Sequence, residues 1–189
     1  MTATRTDRWV ETSRRLEPIE LEPFYAPFLM SGGMGHERIA FDWVEVAGKT
    51  VTARCHLAGY YKSPWDFEFH LNAVTGMAMI SQLAMVHGMV VCGVDRKDFE
   101  ILMMDYQQTM PKLIRDPTDI RLAMTIVQRT VAPAGWREQH PRTFFKWTFT
   151  VNDGCWLGAA SAAFPFGPRG EGLDLVRGQN HDTNHDKGP

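Results

Sequence analysis

The chain has 189 residues, 44% of them hydrophobic, and a formal net charge of -2 from 20 Lys and Arg against 22 Asp and Glu. That length supports one domain with a sizeable core. The near-neutral balance, without a long basic run, excludes the concentrated positive surface that nucleic acid requires and leaves a small uncharged or anionic ligand open.

Residues 1–16 are polar and charged, with Trp9 and Val10 the only large apolar side chains before Leu16. A short docked helix or a frayed end both fit. No apolar stretch of a secretory signal stands here, so a cytoplasmic protein without a membrane anchor is expected. Pro18, Pro23 and Pro27 then punctuate an apolar segment with Leu21, Phe24, Tyr25, Phe28 and Leu29, ending in Ser31-Gly32-Gly33. This reads as a short helix or lid followed by a loop, whose aromatics either flank an apolar pocket or cap the core.

Residues 38–47 alternate with Ile39, Phe41 and Trp43 on one side, and 50–57 resume with Val51, Ala53 and Cys55 after Ala47-Gly48-Lys49. That is a hairpin. A connector rich in turn formers and aromatics, Gly59 to Asp66, leads to the stretch around which the chain is organised. From Ala73 to His87 there is neither proline nor Asp, Glu, Lys or Arg; Asn72 suits an N-cap and Gly88 a stop, so one helix of about 15 residues is predicted. Val74, Met77, Ala78 and Met85 form one stripe, while Ala73, Ile80, Leu83 and Ala84 cover much of the rest, so protein must wrap it on most sides. About 15 residues are too few to span a bilayer.

After a turn region at 90–97, strand-like segments follow at about 99–109. Residues 119–131 alternate, with Ile120, Leu122, Met124 and Ile126 on one face. Beyond a polar loop, Phe145, Trp147, Phe149 and Val151 alternate with polar residues before Asn152-Asp153-Gly154 turns the chain into a small-residue strand, 155–164. Those small residues leave room for the helix or a partner's strand to lie close. From Gly167 onward, Gly, Pro, Asp, Asn and His prevail, which predicts a flexible tail. The division is therefore 1–37 as N-terminal segment and lid, 38–166 as the domain proper, and 167–189 as tail. Cys55, Cys92 and Cys155 are odd in number and widely spaced, and are expected as buried thiols.

Pattern alone supports an α+β sheet around a helix. The run His70-Leu71-Asn72-Ala73-Val74, with Gln82-Leu83-Ala84 in the helix, resembles the HFNAV and NQLA segments of the FcoT-like fatty-acyl thioesterase family. The resemblance is concentrated in residues 66–86. It extends more weakly to Glu22-Pro23-Phe24, where Phe24 replaces a tyrosine, and to the Asn152-Asp153-Gly154 hairpin; Ser81 stands where the family has asparagine. It implies the hotdog fold, a curved antiparallel sheet wrapped around one long central helix. It also implies action on fatty acyl thioesters of coenzyme A or acyl carrier protein and a homodimer or higher oligomer; no cofactor or metal is expected. Some members, from natural-product clusters, are implicated in adding glycine to an α,β-unsaturated acyl thioester before hydrolysis.

Thioester chemistry needs a polarised carbonyl and a positioned water. The helix start at Asn72 to Val74 offers unpaired N–H groups and the positive end of a dipole, suited to an oxyanion or enolate oxygen. His70, just before it, can hold or move a proton or pin the turn. Asn72 can orient a water or simply cap the helix, and Ser81 can reach the nucleophile or bond back to a helix carbonyl. His70, Asn72 and Ser81 are the candidate catalytic set. Tyr61, Lys62, Trp65, Val74 and Gln82 are the candidate substrate-binding set, Lys62 standing nearest the motif as a cation for a glycine carboxylate, ahead of Arg38 and Arg115. No carboxylate lies within the helix, and Asp66 and Glu68 are the nearest upstream. That argues against a hotdog dehydratase; a non-catalytic acyl-chain binder stays as the alternative from another class.

Overall fold

The computed structural model describes residues 13–25, 38–59, 68–134, 140–174 and 176. Along them run β1 (Ser13–Leu16), α1 (Pro18–Tyr25), β2 (Arg38–Ala47), β3 (Thr50–Gly59), α2 (Ala73–Val91), β4 (Leu102–Thr109), β5 (Ile120–Ala132), β6 (Arg142–Val151) and β7 (Trp156–Phe164). The strands form one seven-stranded antiparallel sheet in the order β1-β2-β3-β5-β6-β7-β4. Helix α2 touches β2, β3, β6 and β7, strands spread across that order, so the sheet must curve around it. This is the hotdog arrangement.

The alternating strands place their apolar residues as the period of two dictates. Ile120, Leu122, Met124 and Ile126 of β5 and Phe145, Trp147, Phe149 and Val151 of β6 are all buried against the helix side. The β6–β7 turn is carried by Asn152, Asp153 and Gly154, all at positive φ, the backbone region these residue types tolerate best. The small residues of β7 make room for β4 and for Phe149, since a Cβ at Gly158 would overlap both the Gln107 carbonyl and the Phe149 ring.

Several expectations need correction. Residues 13–16 are neither helix nor frayed end but an edge strand paired with β2. Leu21 and Phe24 of α1 are core residues, so this stretch joins the same core as the segment from residue 38 on. In β2 the alternation slips: a bulge between Phe41 and Trp43 turns Trp43 outward beneath the Arg15 guanidinium, 4.8 Å from its ring centre, and Val44 and Val46 take the inward places. Helix α2 runs past Gly88 to Val91. Gly88 is there for closeness, not for termination, because a Cβ on it would overlap the Phe164 ring. At 19 residues the helix is long and apolar enough to cross a membrane by length and composition alone, so the length argument lapses; what holds is that 72% of its apolar 18-residue window is buried inside the protein. Part of the expected tail is packed: Arg129 donates to the Pro168 carbonyl at 3.1 Å and Val176 is buried. Residues 177–189 lie outside the described residues. Cys55 and Cys92 are buried free thiols, while Cys155 is only half-buried.

Candidate active site

Two long-range contacts seat the segment that leads into α2. Leu71 is buried and its N–H donates to the Ile114 carbonyl at 2.8 Å. Beside it, Arg115 pairs with Glu68 at 2.8 Å on the surface. On the other flank Trp156 donates its indole N–H to the Lys112 carbonyl at 3.2 Å, and Gly76 lets the first turns of α2 rest directly on that indole. The start of α2 is thereby held between the 110–115 segment and β7.

Asn72 is a true N-cap: its backbone is extended, its Oδ1 accepts from the Thr75 N–H at 2.9 Å, and its own carbonyl accepts from the Gly76 N–H at 3.1 Å. Of the first four N–H groups of the helix, two are thus satisfied. Those of Ala73 and Val74 lie outside the helix's own hydrogen-bond pattern, at the positive end of the dipole. On the carbonyl side of the first helical peptide comes Gln108 of β4, whose Nε2 donates to the Ala73 carbonyl at 3.5 Å and to the Met110 sulfur at 3.8 Å, while its Oε1 accepts from the Tyr106 hydroxyl at 2.6 Å. Tyr106 stacks on Phe149 with ring centres 5.5 Å apart, and burial pushes its hydroxyl up to about 12, so it remains a donor at any ordinary pH.

His70 is exposed two residues before the cap, and no hydrogen bond to its ring forms among the described residues. Val74 is 49% exposed and Met77 38%. With half-buried Ala78 and Ser81 they form the open stripe of an otherwise enclosed helix, at spacings of three and four residues. Ser81 lies on that stripe but roughly 13 Å along the axis from Asn72 at 1.5 Å per residue, so the fold does not bring it to the helix mouth. Gln82, the next residue along, is buried beside that stripe rather than on it. The structure therefore gathers His70, Asn72 and Val74 and separates Ser81 and Gln82 from them. Tyr61, Lys62 and Trp65, with Asp66, fall outside the described residues. Arg38 is exposed at the start of β2.

Two features elsewhere are absent from the sequence reading. His87, fully buried in α2, accepts from the Trp147 indole N–H at Nδ1 (3.2 Å) and lies 3.0 Å from the Gly48 carbonyl at Nε2, which makes Nε2 the protonated nitrogen of a neutral ring. Burial drives its pKa down to about 4, against a smaller opposing effect of the Gly48 bond. A cavity of about 310 Å³ opens at the other end of β4 and β7, with Glu100, His140 and Arg142 among its walls. Among the described residues no group of three or more His, Cys, Asp or Glu could hold a metal ion. Gln108 had one usable sequence signal: the two-residue strand period puts it on the same face as Tyr106.

No protein-family model matches the chain, and no curated protein matches it. Similar solved structures include a thioesterase-superfamily protein of Shewanella loihica, 8% identical with a TM-score of 0.39 over 70% of this chain and 92% of that one. A conserved protein of Pseudomonas aeruginosa is 13% identical with a TM-score of 0.40 over 66% and 86% of the two chains. A thioesterase of Haemophilus influenzae is 11% identical with a TM-score of 0.37 over 64% and 76%.

Proposed function

We propose that this protein is an acyl-thioester hydrolase. The observation that carries the reading is the mouth of α2, where Asn72 fixes the cap and the N–H groups of Ala73 and Val74 stand outside the helix's own hydrogen-bond pattern, at the head of an open apolar stripe. Such a mouth can hold a thioester carbonyl while the acyl chain lies against Val74 and Met77. In hydrolysis the water oxygen bonds to the carbonyl carbon, the C–S bond breaks, and a water proton ends on the leaving sulfur. We assign that proton to His70, an exposed residue two positions before the cap.

The finer reading rests on the His70-Leu71-Asn72-Ala73-Val74 and Gln82-Leu83-Ala84 motifs. By that resemblance the substrate is a fatty acyl group on coenzyme A or a carrier protein, and an α,β-unsaturated substrate first receives glycine at its β-carbon. The same N–H groups would then stabilise the enolate of the addition step and the oxyanion of the hydrolytic step. The working unit is a homodimer or higher oligomer, acting in the cytoplasm.

Mass spectrometry of the protein incubated with medium-chain trans-2-enoyl thioesters, with and without glycine and beside a His70→Ala control, tests this. The product expected carries an added glycine and a free acid, and its yield collapses in the control. Free enoic acid alone reduces the reading to a plain thioesterase. A thioester intact in every wild-type sample, on both carriers and at several chain lengths, overturns it in favour of an acyl-chain binder.

A further inference from the structure

The Gln108 amide is engaged at both ends. Its Oε1 accepts from the Tyr106 hydroxyl at 2.6 Å, and its two Nε2 hydrogens are divided between the Ala73 carbonyl at 3.5 Å and the Met110 sulfur at 3.8 Å. Burial keeps the Tyr106 hydroxyl protonated, so it always donates, and the stack on Phe149 holds its ring. The amide therefore faces one way, oxygen toward Tyr106 and nitrogen toward the helix. Ala73 is the first residue of α2, and its carbonyl takes the Met77 N–H in the helix pattern; Gln108 brings a second donor to the other lone pair. That carbonyl shares its peptide with the Val74 N–H, which points the opposite way, out of the helix start.

We propose that Tyr106 and Gln108 form a relay that polarises the peptide linking Ala73 to Val74 from its carbonyl side, so that the Val74 N–H becomes a stronger donor to the acyl oxygen. This rests on the thioester-hydrolase reading and names what tunes its donor. Every bond of the chain runs in the same sense: Tyr106 O–H to Gln108 Oε1, Gln108 N–H to the Ala73 oxygen, Val74 N–H to the acyl oxygen. Hydrogen bonds so arranged reinforce one another, because a carbonyl that accepts draws electron density from its own peptide nitrogen and leaves the N–H more acidic. The gain grows during the reaction. As water adds, the thioester π electrons move onto oxygen, and the sharpened N–H then faces an oxyanion. Tyr106 and Gln108 act through the peptide without touching the substrate, so both are positioning residues. At 3.5 Å the link from Gln108 to Ala73 is long, and the effect is correspondingly modest. A donor of this kind contributes about 100-fold to kcat, and reinforcing that free energy by about 10–30% corresponds to about two- to fourfold.

The test compares wild type with Gln108→Met, which keeps the side chain's length, and Tyr106→Phe, which keeps the ring, each first shown to melt as a folded protein. In Gln108→Met kcat should fall about two- to fourfold with KM unchanged, and in Tyr106→Phe by less. Two spectroscopic readouts separate polarisation from scaffolding. In the free protein, the NMR signals of the Ala73 carbonyl carbon and the Val74 amide nitrogen should move upfield in both variants. On a bound ketone analogue, in which CH₂ replaces the thioester sulfur, the infrared carbonyl stretch should rise in the same order, because a weaker donor polarises that carbonyl less. Signals and stretch that stay at their wild-type values, or an unchanged kcat in a hydrolysing enzyme, overturn the relay. Wild-type protein that binds the ketone yet cleaves no thioester overturns the functional reading alone, and the stretch still decides on the relay; wild-type protein that neither cleaves the thioester nor binds the ketone overturns both.

Discussion

His87 joins the central helix to both halves of the sheet, through the Trp147 indole on β6 and the Gly48 carbonyl in the β2–β3 turn. Only the neutral ring can do this, because a protonated Nδ1 would point a second donor at the Trp147 N–H. The folded state holds its pKa near 4, below the ordinary 6.5, so between those values the unfolded chain binds the extra proton. The stabilisation is full above pH 6.5, falls as pH drops through the window and is gone below about 4. Across it the loss is on the order of 3 kcal/mol, at about 1.4 kcal/mol per unit. Urea unfolding of wild type and His87→Gln at pH 7.5 and pH 5 should show the wild type losing more stability, the variant being already less stable at the higher pH. At this scale little was legible in the sequence: a lone histidine in a run of Met, Ala and Val says nothing of partners 39 and 60 residues away. Gln108 was hidden for the same reason, its contact with Ala73 being 35 residues distant. His70 and Asn72, by contrast, stood out because a cap is local.

Helix α2 was legible in its existence and its start, and less so in its end. Gly88 looks like a stop by intrinsic propensity, but the Phe164 ring presses where its Cβ would be, and tertiary packing decides. Gly76 obeys the same logic beneath Trp156. Alanine there should favour an isolated helix by about 1 kcal/mol, yet the overlap with the indole is expected to reverse the sign and cost about 1–3 kcal/mol in urea unfolding of Gly76→Ala. Turnover should fall too, because the same indole holds the Lys112 carbonyl beside the helix mouth. Strands β5 and β6 were readable from strict alternation and the Asn152-Asp153-Gly154 turn from its residue types. β1 was not: Ser13-Arg14-Arg15-Leu16 has a single apolar side chain and becomes a strand only because β2 pairs with it. Trp43 was misplaced because a bulge shifts the register without leaving a mark on composition.

For the molecule as a whole, β4 ends the sheet, with a bulge between Met103 and Asp105 and with Leu102 and Met104 60% and 56% exposed. Together with the open stripe of α2 this leaves more apolar surface than a lone copy covers, and the oligomer is expected to be the active form. Light scattering should give at least twice the 21.5 kDa of one chain; an active monomer would refute that. The strand order carries a further consequence, for the chain as it is made. β3 reaches across α2 to pair with β5, and β4 pairs with β7, so the seams that close the sheet join residues as remote as Thr50 and Thr125. During synthesis α2 leaves the ribosome before every strand from β4 to β7, bare of Trp147, Trp156 and Phe164. A nascent chain at that stage displays its most apolar helix with half of its wrapping still unmade, which is when such a chain most needs a chaperone's cover.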